Sequence, residues 1–201
     1  TLGHMSVSLF LCFGLIDWHR HPDEDELFLV HEGVITLETE IGSQILHAEE
    51  LAVTPKGIAH RTGSLLRSAV VLVRPVAFTH RTNGHRRIMA DDTITLEKQR
   101  LAQVRRELRD PFLPRIVAAV DTYRVALALA RGLGPSDEVP PGGLFLLTQR
   151  GELTLELPDA TLALPEGFAA APPPGTPFQL RAAQETHYLL IGPRAALERA
   201  V

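Results

Sequence analysis

The chain has 201 residues, 45% hydrophobic and 22% charged, with a formal net charge of −4 and a single cysteine. That is ordinary material for one or two globular domains. The mild negative balance gives no electrostatic footing for nucleic acid, and one cysteine excludes an intrachain disulfide.

Residues 1–5 contain Gly3-His4-Met5, which reads as a vector-derived scar, and the reading sets them outside the fold. The sequence shows no targeting signal, and the chain is expected to be cytoplasmic. The apolar run 6–16 is about half the length of a membrane span, so it reads as a core strand and no membrane partner is expected. Cys12, inside that run, reads as a buried small hydrophobe. Trp18 is expected to point outward and pack against a neighbouring strand.

Residues 22–25 form an acidic turn, and 26–30 and 34–40 a hairpin around Gly33. In its second arm Ile35 and Leu37 alternate with Thr36 and Glu38, the period of a half-buried strand. Strands 44–46, 51–54 and 69–73 follow, the last ended by Arg74-Pro75. Residues 78–92 are polar, with an Asn83-Gly84 turn; His80 and His85 read as solvated loop histidines. Residues 95–109 predict a helix with Leu101, Val104 and Leu108 on one face, stopped by Pro111. Its arginines, 100, 105, 106 and 109, are interleaved with Glu97 and Glu107, so they read as a solvated face. Strands 116–120, 123–130, 144–148, 152–157, 161–164, 168–171 and 188–191 complete a β-barrel spacing.

One stretch organises the rest. His19-Arg20-His21 is followed, after four intervening residues, by Glu26 and, after six more, by Gly33; Pro55-x-Gly57 is then separated from His60 by two residues. Three imidazoles and a carboxylate are the donors a mid-row divalent ion accepts. Two histidines two apart share one face of a strand, and a Pro-x-Gly turn can aim the following strand back at the first.

This pattern resembles the two signature motifs of the cupins, in which such residues bind one metal inside a small antiparallel β-barrel. His19, His21, Glu26 and His60 fall on the four ligand positions. Where the family usually has two motif-opening glycines this chain has Phe13, with Gly14 beside it, and Glu49; where it often has a closing Asn there is Ser64. None is a ligand position, so these departures bear on loop detail.

The second half repeats the first. A shift of 118 positions carries Gly33 to Gly151, Pro55 to Pro173 and Gly57 to Gly175, and Leu29, Thr36, Leu37, Glu38 and Leu46 onto identical residues. Gly167 supplies the opening glycine that Glu49 replaces. The donors do not survive: His19, His21, Glu26 and His60 become Asp137, Val139, Leu144 and Phe178.

The resemblance therefore implies an all-β fold: two tandem cupin (double-stranded β-helix, jelly-roll) barrels with a connecting helix. Residues 6–90 would be the metal-binding barrel, and 91–201 the helix (about 95–109) plus a degenerate barrel whose cavity is filled by apolar bulk. One divalent metal per chain is expected at His19, His21, Glu26 and His60, with Fe, Mn, Ni, Co and Zn all compatible. Glu26 could also serve as a catalytic base, as is proposed in parts of the family. Inward parity adds Phe28, Val30 and Thr62 as pocket-lining residues. The implied function is a small-molecule metalloenzyme of oxygenase, isomerase or lyase type. The alternative is a non-catalytic protein that binds or senses a metal or small ligand. A storage role is disfavoured by the intact donor set. Two chains could pair as a homodimer, as single-barrel cupins commonly do.

Overall fold

Strand alternation survives into three dimensions. The computed structural model describes residues 1–76, 82–84 and 94–198, so His80 and His85 lie outside the described residues. The chain divides into two compact units, one essentially Gly3–Leu101 and the other Ala102–Val201.

In the first unit the strands are β1 (Met5–Leu15), β2 (His19–Arg20), β3 (Glu26–Glu32), β4 (Val34–Thr39), β5 (Gly42–His47), β6 (Glu50–Thr54), β7 (His60–Pro75), β8 (Thr82–Asn83) and β9 (Lys98–Arg100). In β4 the buried positions are Ile35, Leu37 and Thr39, every second residue. β3 instead buries five consecutive residues, so both of its faces are covered, and it is paired at both edges, to β6 and to β7. The long β7 is the hinge of the barrel. Its first part pairs with β4, its last part with β3, and β1 runs antiparallel along it from Met5↔Pro75 to Leu15↔Gly63. The core between these strands includes Cys12, Phe28, Val30, Ile35, Leu37, Leu46 and Val70.

The second unit contains α1 (Leu101–Glu107, beginning at the division), β10 (Arg115–Val120), β11 (Tyr123–Glu138), β12 (Phe145–Arg150), β13 (Glu152–Leu157), β14 (Ala160–Pro165), β15 (Ala169–Ala170), β16 (Pro177–Pro193) and α2 (Arg194–Leu197). The 118-residue offset holds in the register: Met5↔Pro75 in the first unit corresponds to Tyr123↔Pro193 in the second, and His19↔His60 to Asp137↔Phe178. A local device is also duplicated. Gly33 and Gly151 both have positive φ, and a Cβ there would collide with the hydroxyl side chains of Ser68 and Thr186. Each hydroxyl accepts from and donates to one residue of the following strand, Val34 at 3.0 and 2.9 Å and Glu152 at 3.2 and 3.1 Å. The missing second-motif glycine has a backbone explanation. Glu49 occupies the left-handed region (φ 65°) that Gly167 occupies in the second unit (φ 82°).

Three expectations are revised. The helix is Leu101–Glu107, shorter than 95–109, because Lys98–Arg100 pairs with β6 as an edge strand. Lys98 Nζ and Arg100 Nε hold that strand to Glu50 at 2.7 and 3.0 Å. For the same reason the units divide after Leu101 rather than near residue 90. Residues 1–5 are not outside the fold: Met5 opens β1, and Leu2 and Met5 are buried. Among the described residues no helix is long and apolar enough to cross a membrane.

Candidate metal centre

The two motifs meet because the turn between them is tied down. Gly57 N donates to His21 O at 2.7 Å, which pins the Pro55–Gly57 turn beside the first motif. Beneath it lies a buried ion pair, Arg20 Nη2 with Glu40 Oε1 at 3.3 Å. Glu40 Oε2 also accepts the amide of Ala59 at 3.1 Å, so the segment delivering His60 is held by a satisfied charge. His19 and His60 then face each other as a cross-strand pair.

The donor atoms of His19, His21, Glu26 and His60 all lie within 4.8 Å of one another, and all four residues are buried. His60 Nε2 is 2.8 Å and His21 Nε2 3.4 Å from the Glu26 carboxylate. His19 Nδ1 sits 2.9 Å from the Asp17 carbonyl and His60 Nδ1 3.1 Å from that of Ile58. A carbonyl only accepts, so each Nδ1 carries its proton and each Nε2 is left for the centre, the second contact typical of metal-ligating histidine. Bonds of about 2.0–2.2 Å to one ion put adjacent octahedral donors roughly 3 Å apart and opposite ones roughly 4 Å apart. The cluster has that scale, and its chemistry fits a +2 ion.

Electrostatics agree. Burial pushes Glu26 up, but the hydrogen bond from His60 and the charges of His60, His21 and His19 outweigh it and hold the carboxyl below its ordinary value. Arg74 Nη1 lies 3.7 Å from Glu26 Oε1, and Glu24 Oε2 3.8 Å from His21 Nδ1.

A cavity of about 270 Å³ opens on the cluster, lined by Phe10, Ile16, Phe28, Thr62, Leu72 and Arg74 together with His19, His21 and Glu26. Phe28 and Thr62, expected at the pocket from strand parity, are both in this lining. Val30 is fully buried in the core and does not line it. Cys12 is buried beside Thr62, and burial pushes its thiol up against an opposing hydrogen bond with that hydroxyl. Trp18 packs under Arg61 of β7, with the guanidinium 5.1 Å from the ring centroid. Sequence reasoning missed Arg74, read only as a strand end. The signal was cross-strand register: β3 and β7 pair at Leu27↔Val73, which places Arg74 opposite Glu26.

At the equivalent place in the second unit Asp137 is exposed, while Val139, Leu144 and Phe178 are buried. Among the described residues the first-unit cluster is the one group of this kind. The expected filling of the second barrel is not what the structure shows. Leu144 and Phe178 line a cavity of about 490 Å³, because the register that sets the barrel's width is unchanged and these side chains do not span it.

The family model described as Cupin domain matches residues 14–73. The uncharacterized protein YdbB of Bacillus subtilis (strain 168) is 40% identical over 68 residues, which is 33% of this chain; the chain spans 60% of that relative's length. A salicylate 1,2-dioxygenase variant from Pseudoaminobacter salicylatoxidans in complex with gentisate has a TM-score of 0.78 at 13% identity, over 97% of this chain and 70% of its own. The cupin 2 conserved barrel domain protein from Leptotrichia buccalis has a TM-score of 0.72 at 11% identity, over 95% of this chain and 84% of its own. At such identities the likeness is one of fold, and it extends over both units. The Cupin domain match spans residues 14–73, and the all-β barrel fold and the His-His-Glu-His cluster agree with it.

Proposed function

We propose that the first unit holds one divalent metal ion through His19, His21, Glu26 and His60, and that the protein is an enzyme acting there on a small organic acid. Arg74 carries this reading. A site that only stored metal would need donors alone. Here a guanidinium 3.7 Å from Glu26 lines the same cavity as three of the donors. With the Thr62 hydroxyl nearby, that is the equipment for receiving a carboxylate or an enolate-like oxygen. The volume of about 270 Å³ suits a compact substrate rather than a drug-sized one.

A bound ion would supply Lewis acidity and, if redox-active, one-electron chemistry. The chain's own residues do the rest. His19 and His60 are held in one tautomer by their carbonyl contacts, so their Nε2 atoms stay aimed inward. Phe10, Ile16, Phe28 and Leu72 give the cavity apolar walls, which strengthen charge interactions beside them. Arg74 would orient the anionic end of the substrate. Glu26, kept ionised by its neighbours, suits holding a cation and would accept a proton only on leaving the cluster. The reaction type is oxygenase, isomerase or lyase. The oxygenase branch draws support from the shared fold of the salicylate 1,2-dioxygenases, one of which is described in complex with gentisate, itself a carboxylate.

The test is metal analysis of the untagged protein, then a panel of small aromatic and aliphatic carboxylates with oxygen uptake and mass-spectrometric product detection. One metal per chain and turnover of a carboxylate are expected, with Arg74→Ala raising KM more than it lowers kcat. A loaded protein that binds carboxylates reversibly and converts none would favour the sensing alternative.

The same reading extends to assembly. Leu9, Leu11, Phe13 and Leu15 of β1 are 62–69% exposed, and Leu65 and Leu66 are exposed as well. An apolar patch of this kind marks an interaction surface, and we assign it to contact between two chains. Sedimentation should show a dimer that Leu11→Lys with Phe13→Lys converts to monomer.

A further inference from the structure

The second unit has lost the donors and kept a cavity, and the larger of the two: about 490 Å³ against about 270 Å³. Its volume lies within the range of small-molecule sites. The walls include Phe112, Leu144, Phe178 and Leu180, all in the second unit. Asp137 and Glu138, both exposed, stand at its edge, and among the described residues no Lys, Arg or His is in its lining.

Tyr188 also lines it. The residue is 2% exposed, and its hydroxyl has no hydrogen-bond partner among the described residues. Burial alone pushes the phenol far above its ordinary value, with no charge or hydrogen bond acting on it. Buried tyrosine hydroxyls usually find a partner, and one left without costs stability. The 118-residue offset sharpens the point: the equivalent of Tyr188 is Val70, a fully buried core residue. The second barrel therefore carries a polar group where the first has none, facing the space from which metal donors are missing.

We propose that this cavity is a metal-free binding site for a small, mainly apolar molecule, neutral or cationic, with one oxygen or nitrogen that hydrogen-bonds the Tyr188 hydroxyl. Charge decides against anions. Asp137 and Glu138 would repel a carboxylate, and no cation among the described wall residues would compensate for its desolvation. The two units thus take ligands of opposite character, an anion beside Arg74 in the first and a neutral or cationic apolar molecule in the second.

The experiment is a fluorescence titration of the full chain, metal-loaded and metal-stripped, with two dyes. One is neutral N-phenyl-1-naphthylamine; the other is its anionic relative 1-anilinonaphthalene-8-sulfonate. The neutral dye should bind one per chain, equally well with and without metal, and the sulfonate about tenfold or more weaker, as an unpaired charge requires. Tyr188→Phe should weaken the neutral dye by about three- to tenfold, the worth of one hydrogen bond, without lowering the melting temperature. Ala196→Trp, placed at a half-buried wall position on α2, should abolish binding and leave metal content unchanged. Asp137→Asn with Glu138→Gln should narrow the gap between the dyes. No binding of the neutral dye, binding unchanged in both Tyr188→Phe and Ala196→Trp, or binding lost on metal removal would overturn the proposal.

Discussion

The two units share a register and differ in what the register presents. His19 faces His60 across two strands, and 118 residues on Asp137 faces Phe178 in the same pairing. Gly33 with Ser68 and Gly151 with Thr186 build the same turn with the same hydroxyl bridge. The backbone contributes a barrel and a cavity; whether the cavity is a charged centre or an apolar chamber depends on a handful of inward side chains.

The largest expected effect breaks the comparison from the first-unit side. His60→Ala removes a donor 2.8 Å from Glu26. Metal affinity should fall by at least about 10- to 100-fold, the range seen when only a ligand's supporting contact is lost. The metal-free fold should persist, since hydrophobic barrels do not depend on an ion as a zinc finger does. Metal stoichiometry and melting temperature, read together, check both halves. Phe178→Ala is the mirror experiment. It should leave metal content alone and destabilise by about 3 kcal/mol, the low end for a buried Phe, because one face of the ring already borders a void. If Phe178→Ala lost metal, the division between the units would be wrong.

A smaller effect should fall equally on both. Gly33→Ala and Gly151→Ala each place a Cβ at positive φ (87° and 85°) against a hydroxyl side chain. Each should cost about 1–3 kcal/mol. Chemical denaturation of the two variants should give matching losses; a large inequality would mean that the shared turn is not equally important to the two barrels.

What was legible in the sequence was what local pattern encodes. Period-two alternation gave β4, and the spacing of His19, His21, Glu26 and His60 gave a cluster that closes to within 4.8 Å. A fixed offset gave a second all-β unit whose strand register matches the first. Less legible was whatever depends on a distant partner. Lys98–Arg100 has helical company on its C-terminal side, yet the free edge of β6 and the carboxylate of Glu50 claim it as a strand. Arg74 and Glu40 acquire their roles only when register sets one beside Glu26 and the other under Ala59. The second cavity left no trace at all, since a void is set by how far side chains fall short of each other and not by which residues are present.

The smallest effect concerns acid. In the first unit Glu26 and Glu50 are both held below the ordinary carboxyl value. Burial opposes this in each; the hydrogen bond from His60 and the histidine charges prevail at Glu26, and the Lys98 hydrogen bond, the His47 amide and the Lys98 and Arg100 charges at Glu50. Their counterparts at the 118-residue offset are Leu144 and Phe168, which do not titrate. The depressed carboxyl of the second unit, Glu198, is on the surface beside Arg194 and Arg124, where solvent screening leaves a pair little effect. A carboxyl with a depressed folded value stays ionised in the folded state while the unfolded chain takes up its proton. Its stabilisation is therefore present above the unfolded value, near 4.5, and is lost as pH falls toward the folded one. The slope is at most about 1.4 kcal/mol per pH unit for each proton. In metal-stripped protein followed from pH 7 downward, protection from hydrogen exchange, taken relative to the intrinsic rate at each pH, should fall first at amides of β3, β6 and β7, and later at those of β12 and β16. Glu26→Gln with Glu50→Gln should remove that difference. Acid loosening of both units together in the unmodified chain would show that these two carboxylates do not set the first barrel's acid limit.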